Sequence, residues 1–181
     1  MTLLPQIGVV QGAPSTVVQS LLGAFVSELP GSVRAAGVIE DLTGVADEAC
    51  AVGSLRSVRD GRTFSIALDL GPGSTGCKVD GGGIATACEA VCRDIEAGCG
   101  LVILSKWGKV EADRSGLADA FATAIDAGVP ILTSVAPKFM SAWEAFAAPM
   151  YVVLPPDLAS LQNWWRDRGA AAPALQLRAA R

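Results

Sequence analysis

The chain has 181 residues, of which 51% are hydrophobic and 18% charged, with a formal net charge of −4 and a mean hydropathy of +0.42; this excludes disorder as the main state and fits a single α/β domain over residues 1–169. No basic stripe is present to meet nucleic acid, no apolar run reaches the ~18 residues that span a bilayer, and the N-terminus lacks the basic region of a signal peptide, so a cytoplasmic protein is expected. Histidine is absent, which removes Ser-His-Asp, Cys-His and His-ligated zinc chemistry.

Residues 5–11 (PQIGVVQ) read as a first core strand, broken by Gly12, Ala13 and Pro14. Ser15 or Thr16 is placed to cap a helix. On it Val18, Leu21, Leu22, Phe25 and Leu29 recur at helical spacing before Pro30-Gly31. A second strand follows over 32–40. Strands over 54–58 and 63–68 flank Asp60-Gly61, a hairpin signal because glycine takes φ > 0 without steric cost. The stretch from Leu70 to Gly83 carries Gly71, Gly73, Gly76, Gly81, Gly82 and Gly83, a loop that turns sharply or lets backbone approach a ligand. A helix over 83–98 places Ile84, Cys88, Val91, Cys92, Ile95 and Cys99 on one face, so those three cysteines read as core filler. Residues 100–105 (GLVILS) are a buried parallel strand. A helix over 113–127 turns Leu117, Ala120, Phe121, Ala124 and Ile125 inward and stops at Gly128. A strand over 129–135, a short helix bearing Phe139, Trp143 and Phe146, and a strand over 151–154 follow. Asp157 caps a last helix with Leu158, Leu161 and Trp165 inward, and residues 170–181 are expected to be a mobile tail.

This alternation specifies an α/β fold: a mainly parallel sheet with helices on both faces and an inserted β-hairpin. Ligands of such sheets bind outside the carboxyl ends of the strands, where residues 11–16, 106–111 and 136–139 fall. The first turn, QGAPST, sits where a P-loop would sit. It offers Gly12, Ser15 and Thr16 but not the phosphate-binding lysine, which leaves either a helix N-terminus open to an anion or a plain tight turn. Lys106 and Lys109 bring cations to the end of the central strand, with Glu111 behind them. That suits an anion better than a metal, unless both lysines are simply solvated. Cys50 and Cys77 flank the hairpin as candidate thiolate ligands for a thiophilic metal, or as two half-buried thiols. Trp107 is placed to stack a base or plug an interface. One ring of Trp164-Trp165 is expected to point outward and, with the low charge fraction, suggests a homodimer.

The stretch LDLGPGSTGCKVD, with LVILSKWGKVEADRSGLADAFATAIDAGVPILTSV further on, resembles an uncharacterised bacterial family. Its pattern has a Leu-Gly-x-Gly-Ser-x-Gly-Cys-x-Leu-Asp loop and an Asn-Lys-Phe-Gly-Lys-x-Glu-Ala segment, and its members are often labelled, from gene neighbourhood, molybdenum ABC transporter ATP-binding proteins. The resemblance covers about residues 5–148. Gly71, Gly73, Ser74, Gly76, Cys77, Asp80, Lys106, Gly108, Lys109 and Glu111 match, while Ser105 and Trp107 replace the family's Asn and Phe. More distantly the layout is similar to small P-loop nucleoside-triphosphatases, whose Asp-Glu-Ile-Gly-Pro-Met-Glu segment falls on Ser105 to Glu111. There Gly108 and Glu111 match, and the acidic pair is replaced by Ser105-Lys106. The resemblance implies a degenerate P-loop NTPase-like domain that binds a nucleotide or an oxyanion such as molybdate, linked to molybdenum metabolism. Its ligand would meet Gly12, Ser15, Thr16, Gly73, Ser74, Lys106 and Lys109. Two alternatives stand beside it: a Mg²⁺-dependent nucleoside-triphosphatase with Glu111 as general base, and a non-catalytic, metal- or redox-responsive partner protein using Cys50 and Cys77.

Overall fold

The computed structural model describes residues 6–41, 53–67 and 80–176. In chain order the elements are β1 (Ile7–Val10), α1 (Ser15–Ser27), β2 (Ala35–Asp41), β3 (Ser54–Ser57), β4 (Thr63–Ser65), α2 (Gly81–Glu96) and β5 (Leu101–Leu104). They continue with α3 (Lys109–Ala112), α4 (Ala118–Asp126), β6 (Ile131–Ser134), a 3₁₀ turn (Pro137–Phe139), α5 (Met140–Ala147), β7 (Tyr151–Leu154) and α6 (Leu158–Gln176). The strands form one seven-stranded sheet in the order β4-β3-β2-β5-β6-β1-β7. From β2 to β7 every neighbouring pair is parallel, and the antiparallel β3–β4 hairpin extends the β2 edge.

β1 (IGVV) and β5 (LVIL) are buried along their whole length, as continuous apolar strands must be when helices cover both faces of a parallel sheet. The two-residue period of the strands sorts their side chains between two cores. Ile7, Val9, Val102, Leu104 and Ile131 join residues of α2, α4 and α5. Val10, Leu101, Ile103 and Leu132 join Val18, Leu22 and Phe25 of α1 with Leu161 and Trp164 of α6. The first core is aromatic at its centre: Trp143 packs edge-on against Trp107 at 5.4 Å and Phe121 at 5.8 Å between ring centroids. Gly37 sits within β2 at φ +118°, and a Cβ there would lie 1.8 Å from the Ile103 carbonyl oxygen. Only glycine lets β2 close on β5 at this point.

The strands and α1, α2 and α5 lie where the sequence places them, within a few residues. Three details differ. The hairpin closes through the four residues 58–61, with the Ser57 N–H donating to the Arg62 carbonyl, so it is wider than a two-residue turn. The helix expected over 113–127 begins only at Ala118, as α4, and a separate short helix, α3, precedes it over Lys109–Ala112. Arg114 and Gly116 take positive φ (59° and 61°) between them, which no continuous helix tolerates. In α6 the more deeply buried ring is Trp164, 5% exposed, and Trp165 is half-buried, so neither points fully outward. Gly8 opposite makes this possible, since a Cβ at that position would already lie 3.0 Å from the Trp164 ring. The helix itself continues to Gln176. Among the described residues no helix is long and apolar enough to cross a membrane.

Candidate functional site

The chain leaves β1 toward β2, beyond β6 and β5, and leaves β6 toward β7, on the far side of β1. These opposed connections open a crevice at the carboxyl ends of the strands. A pocket of about 370 Å³ lies there, lined on one side by Gln11, Gly12, Ala13 and Ser15 and on the other by Lys106, Gly108, Lys109 and Glu111. Val18, Trp107, Val135 and Phe139 give it an apolar wall.

The first side is the start of α1. Its N-cap is Pro14, and no side chain caps it, so the hydroxyl cap expected from Ser15 or Thr16 is not formed. The helix begins at Ser15 itself, inside the first turn, where a hydroxyl cannot reach back over the helix end. Val18 is the first residue to donate into the helix, to the Pro14 carbonyl. The N–H groups of Ser15, Thr16 and Val17 therefore have no partner among the described residues. Gly12, at φ +102°, turns the chain from β1 into that helix.

The second side is fixed by a network of amides and hydroxyls. Gln19, 2% exposed on α1, donates to the Ser105 carbonyl (2.8 Å) and accepts from the Glu40 N–H (2.9 Å), tying α1 to the ends of β5 and β2. Ser134 donates to the same Ser105 carbonyl, and Gln11 donates to the Val135 carbonyl at 2.7 Å. Trp107 continues β5 by donating its N–H to the Ser134 carbonyl. Its ring is 2% exposed and packs on Trp143 and Phe146, so it neither stacks a base nor plugs an interface. The Lys106 ammonium is paired with the Glu40 carboxylate at 2.5 Å. Lys109 is exposed and makes no ion pair among the described residues. Glu111 is 9% exposed. Its two oxygens accept the N–H groups of Gly108 (3.0 Å) and Leu117 (3.1 Å), holding the turn from β5 into α4.

The structure thus brings Gly12, Ser15, Lys106, Lys109 and Glu111 to one pocket, while Thr16 is exposed beside it and is not part of the lining. Gly73, Ser74, Cys50 and Cys77 lie outside the described residues. Sequence reasoning missed Gln19 and Glu40. The available signal was a glutamine inside the apolar stripe of α1, next to Val18 and one turn before Leu22 and Gly23. Among the described residues no group of three or more His, Cys, Asp or Glu side chains is placed to hold a metal ion.

A doubly wound, mainly parallel sheet with a ligand-sized crevice at the first strand–helix turn defines an α/β protein of P-loop NTPase-like layout. The chain belongs to the family described as Protein of unknown function (DUF2478), whose model matches residues 7–164. It is also similar to the Molybdenum import ATP-binding protein ModC 2 of Bradyrhizobium diazoefficiens (strain JCM 10833 / BCRC 13528 / IAM 13628 / NBRC 14792 / USDA 110), with 34% identity over 155 residues. That match takes in 85% of this chain but 17% of the relative. No solved structure matches.

Proposed function

We propose that this domain binds a small tetrahedral oxyanion, either the phosphate group of a nucleotide or a molybdate-type anion, in the pocket at the carboxyl ends of β1, β5 and β6. One observation carries the reading: the uncapped first turn of α1 and the two lysines of the β5 end line the same cavity. Unpaired N–H groups at a helix start and a nearby ammonium are the elements of an anion receptor. Thr16, Gly73 and Ser74 are the further residues this reading assigns to the ligand. The relative's name, a molybdenum import ATP-binding protein, supports both anion classes. The absence of a lysine in the first turn argues for binding without efficient triphosphate hydrolysis.

Calorimetric titration with molybdate, tungstate, sulfate and ATP tests the proposal. At least one of these is expected to bind. Lys109→Ala should weaken it about 10-fold or more, the worth of one hydrogen bond to a charged group. Lys106→Ala should cost less, because Glu40 already occupies that ammonium. Glu40→Gln should tighten binding by releasing it. No heat with any of the four anions overturns the reading.

A further inference from the structure

A cavity of about 500 Å³ shares no lining residue with the strand-end pocket. It is a groove between α2 and the turn that joins α3 to α4. Two cysteines open onto it, Cys88 and Cys92, one helical turn apart on α2. Both are free thiols. Cys88 is 6% exposed and Cys92 half-buried, with its sulfur 3.6 Å from the Thr123 hydroxyl. The helical spacing that marks them as core residues therefore also makes them a vicinal pair with access to a cavity.

The charges around the groove select the kind of ligand. Glu89 and Glu96 of α2 and Asp119 of α4 face Arg93 of α2 and Arg114 of the turn. The lining carries one net negative charge, which disfavours a second anion and favours a cation. Two thiol ligands without histidine suit a soft ion of low coordination number. Zinc would need four ligands, and no cluster of three carboxylates and thiols exists among the described residues. Two metal–sulfur bonds of ~2.3 Å fit between side chains whose Cβ atoms stand ~5–6 Å apart, the distance of one helical turn.

We propose that Cys88 and Cys92 form a dithiol site for one soft d¹⁰ cation of the Cu(I) class, held between their two sulfurs in the α2 groove. Both S–H bonds break, both sulfurs bind the ion as thiolates, and two protons leave to solvent. No electron changes hands, so no oxidant is required. Because binding displaces these protons, apparent affinity rises with pH.

The test uses the full chain carrying Cys50→Ser, Cys77→Ser and Cys99→Ser, reduced and under anaerobic conditions. Cu(I) is offered in competition with bathocuproine disulfonate, a chromogenic Cu(I) chelator. The expected result is one Cu(I) per chain, with apparent affinity rising about 100-fold per pH unit near neutrality, as release of two protons requires. Adding Cys92→Ser to this background should weaken binding by more than about 100-fold, since losing a ligand exceeds the ~10–100-fold effect of an outer-shell partner. Cys92 is half-buried, so this variant tests the site with less risk to the fold than changing Cys88, and a matching melting temperature verifies that it folds. The proposal is overturned if the chelator retains all the copper, or if Cys92→Ser binds as tightly as its parent.

Discussion

Glu111 accepts one backbone N–H at each carboxylate oxygen, from Gly108 before α3 and from Leu117 before α4. A carboxamide at this position keeps one acceptor and loses the other. Glu111→Gln is therefore expected to lower stability by about 1–3 kcal/mol, the cost of leaving a buried donor unpartnered, as measured by urea unfolding. The same variant separates two roles. A general base would show as Mg²⁺-dependent phosphate release that disappears in Glu111→Gln, whereas a turn-holding carboxylate shows as a shifted unfolding midpoint with no turnover in either protein. Cys88 makes a second residue-scale prediction. Burial first, and then the adjacent Cys92, raise its thiol from 9.0 to about 12, so the folded state favours the protonated form more than the unfolded chain does. That stabilisation is complete below pH 9 and is lost as pH rises toward 12. The fall in melting temperature between pH 9 and 11 should be shallower in Cys88→Ala than in the parent.

The helices and strands carry signals of different range, which decides what the sequence discloses. β1 and β5 are legible because continuous apolar runs leave little alternative, and α2 because its apolar face repeats over 16 residues. The break between α3 and α4 is not legible. Arg114 adopts a left-handed conformation that glycine or asparagine would have announced, and the turn is held by Glu111, whose partner Leu117 lies six residues on. The candidate pocket is legible as a location, since the ends of parallel strands are known from the strands themselves. Its internal wiring is not, because Gln19 joins β2 to β5 across 21 and 86 residues of sequence. Gln19→Leu leaves the Glu40 N–H without its acceptor, while the Ser105 carbonyl keeps only Ser134. A loss of about 1–3 kcal/mol is expected in urea unfolding. Weaker anion binding should accompany it, because Gln19 anchors α1 to the Ser105 carbonyl immediately before Lys106. At α6, Asp157 accepts from the Ser160 N–H, and that bond holds its carboxyl below the ordinary value of 3.8. This contribution is present above pH 4 and fades as pH falls further, so Asp157→Asn should flatten the acid limb of the stability profile.

At the scale of the whole molecule, the two cores lie on opposite faces of one sheet and are built by alternate residues of the same strands. Val102 and Leu104 face the α2–α4–α5 side, while Leu101 and Ile103 face the α1–α6 side. No strand can lose its partner on one face without releasing the side chains it buries on the other, so the faces should unfold together. The tryptophans report on this directly, because Trp107 and Trp143 lie in the first core and Trp164 in the second, with Trp165 packed against it. A Trp107→Phe/Trp143→Phe variant leaves fluorescence only on the α1–α6 side, and a Trp164→Phe/Trp165→Phe variant leaves it only on the other. In each, the fluorescence midpoint in urea should coincide with the midpoint from far-ultraviolet circular dichroism. Adding Phe121→Ala, which empties a fully buried position, should cost about 3–5 kcal/mol. In the variant that retains only Trp164 and Trp165 it should move both midpoints equally, although Phe121 lies on the opposite face. Separate transitions, with the α1–α6 fluorescence unmoved by Phe121→Ala, would mean that the sheet does not couple its two cores.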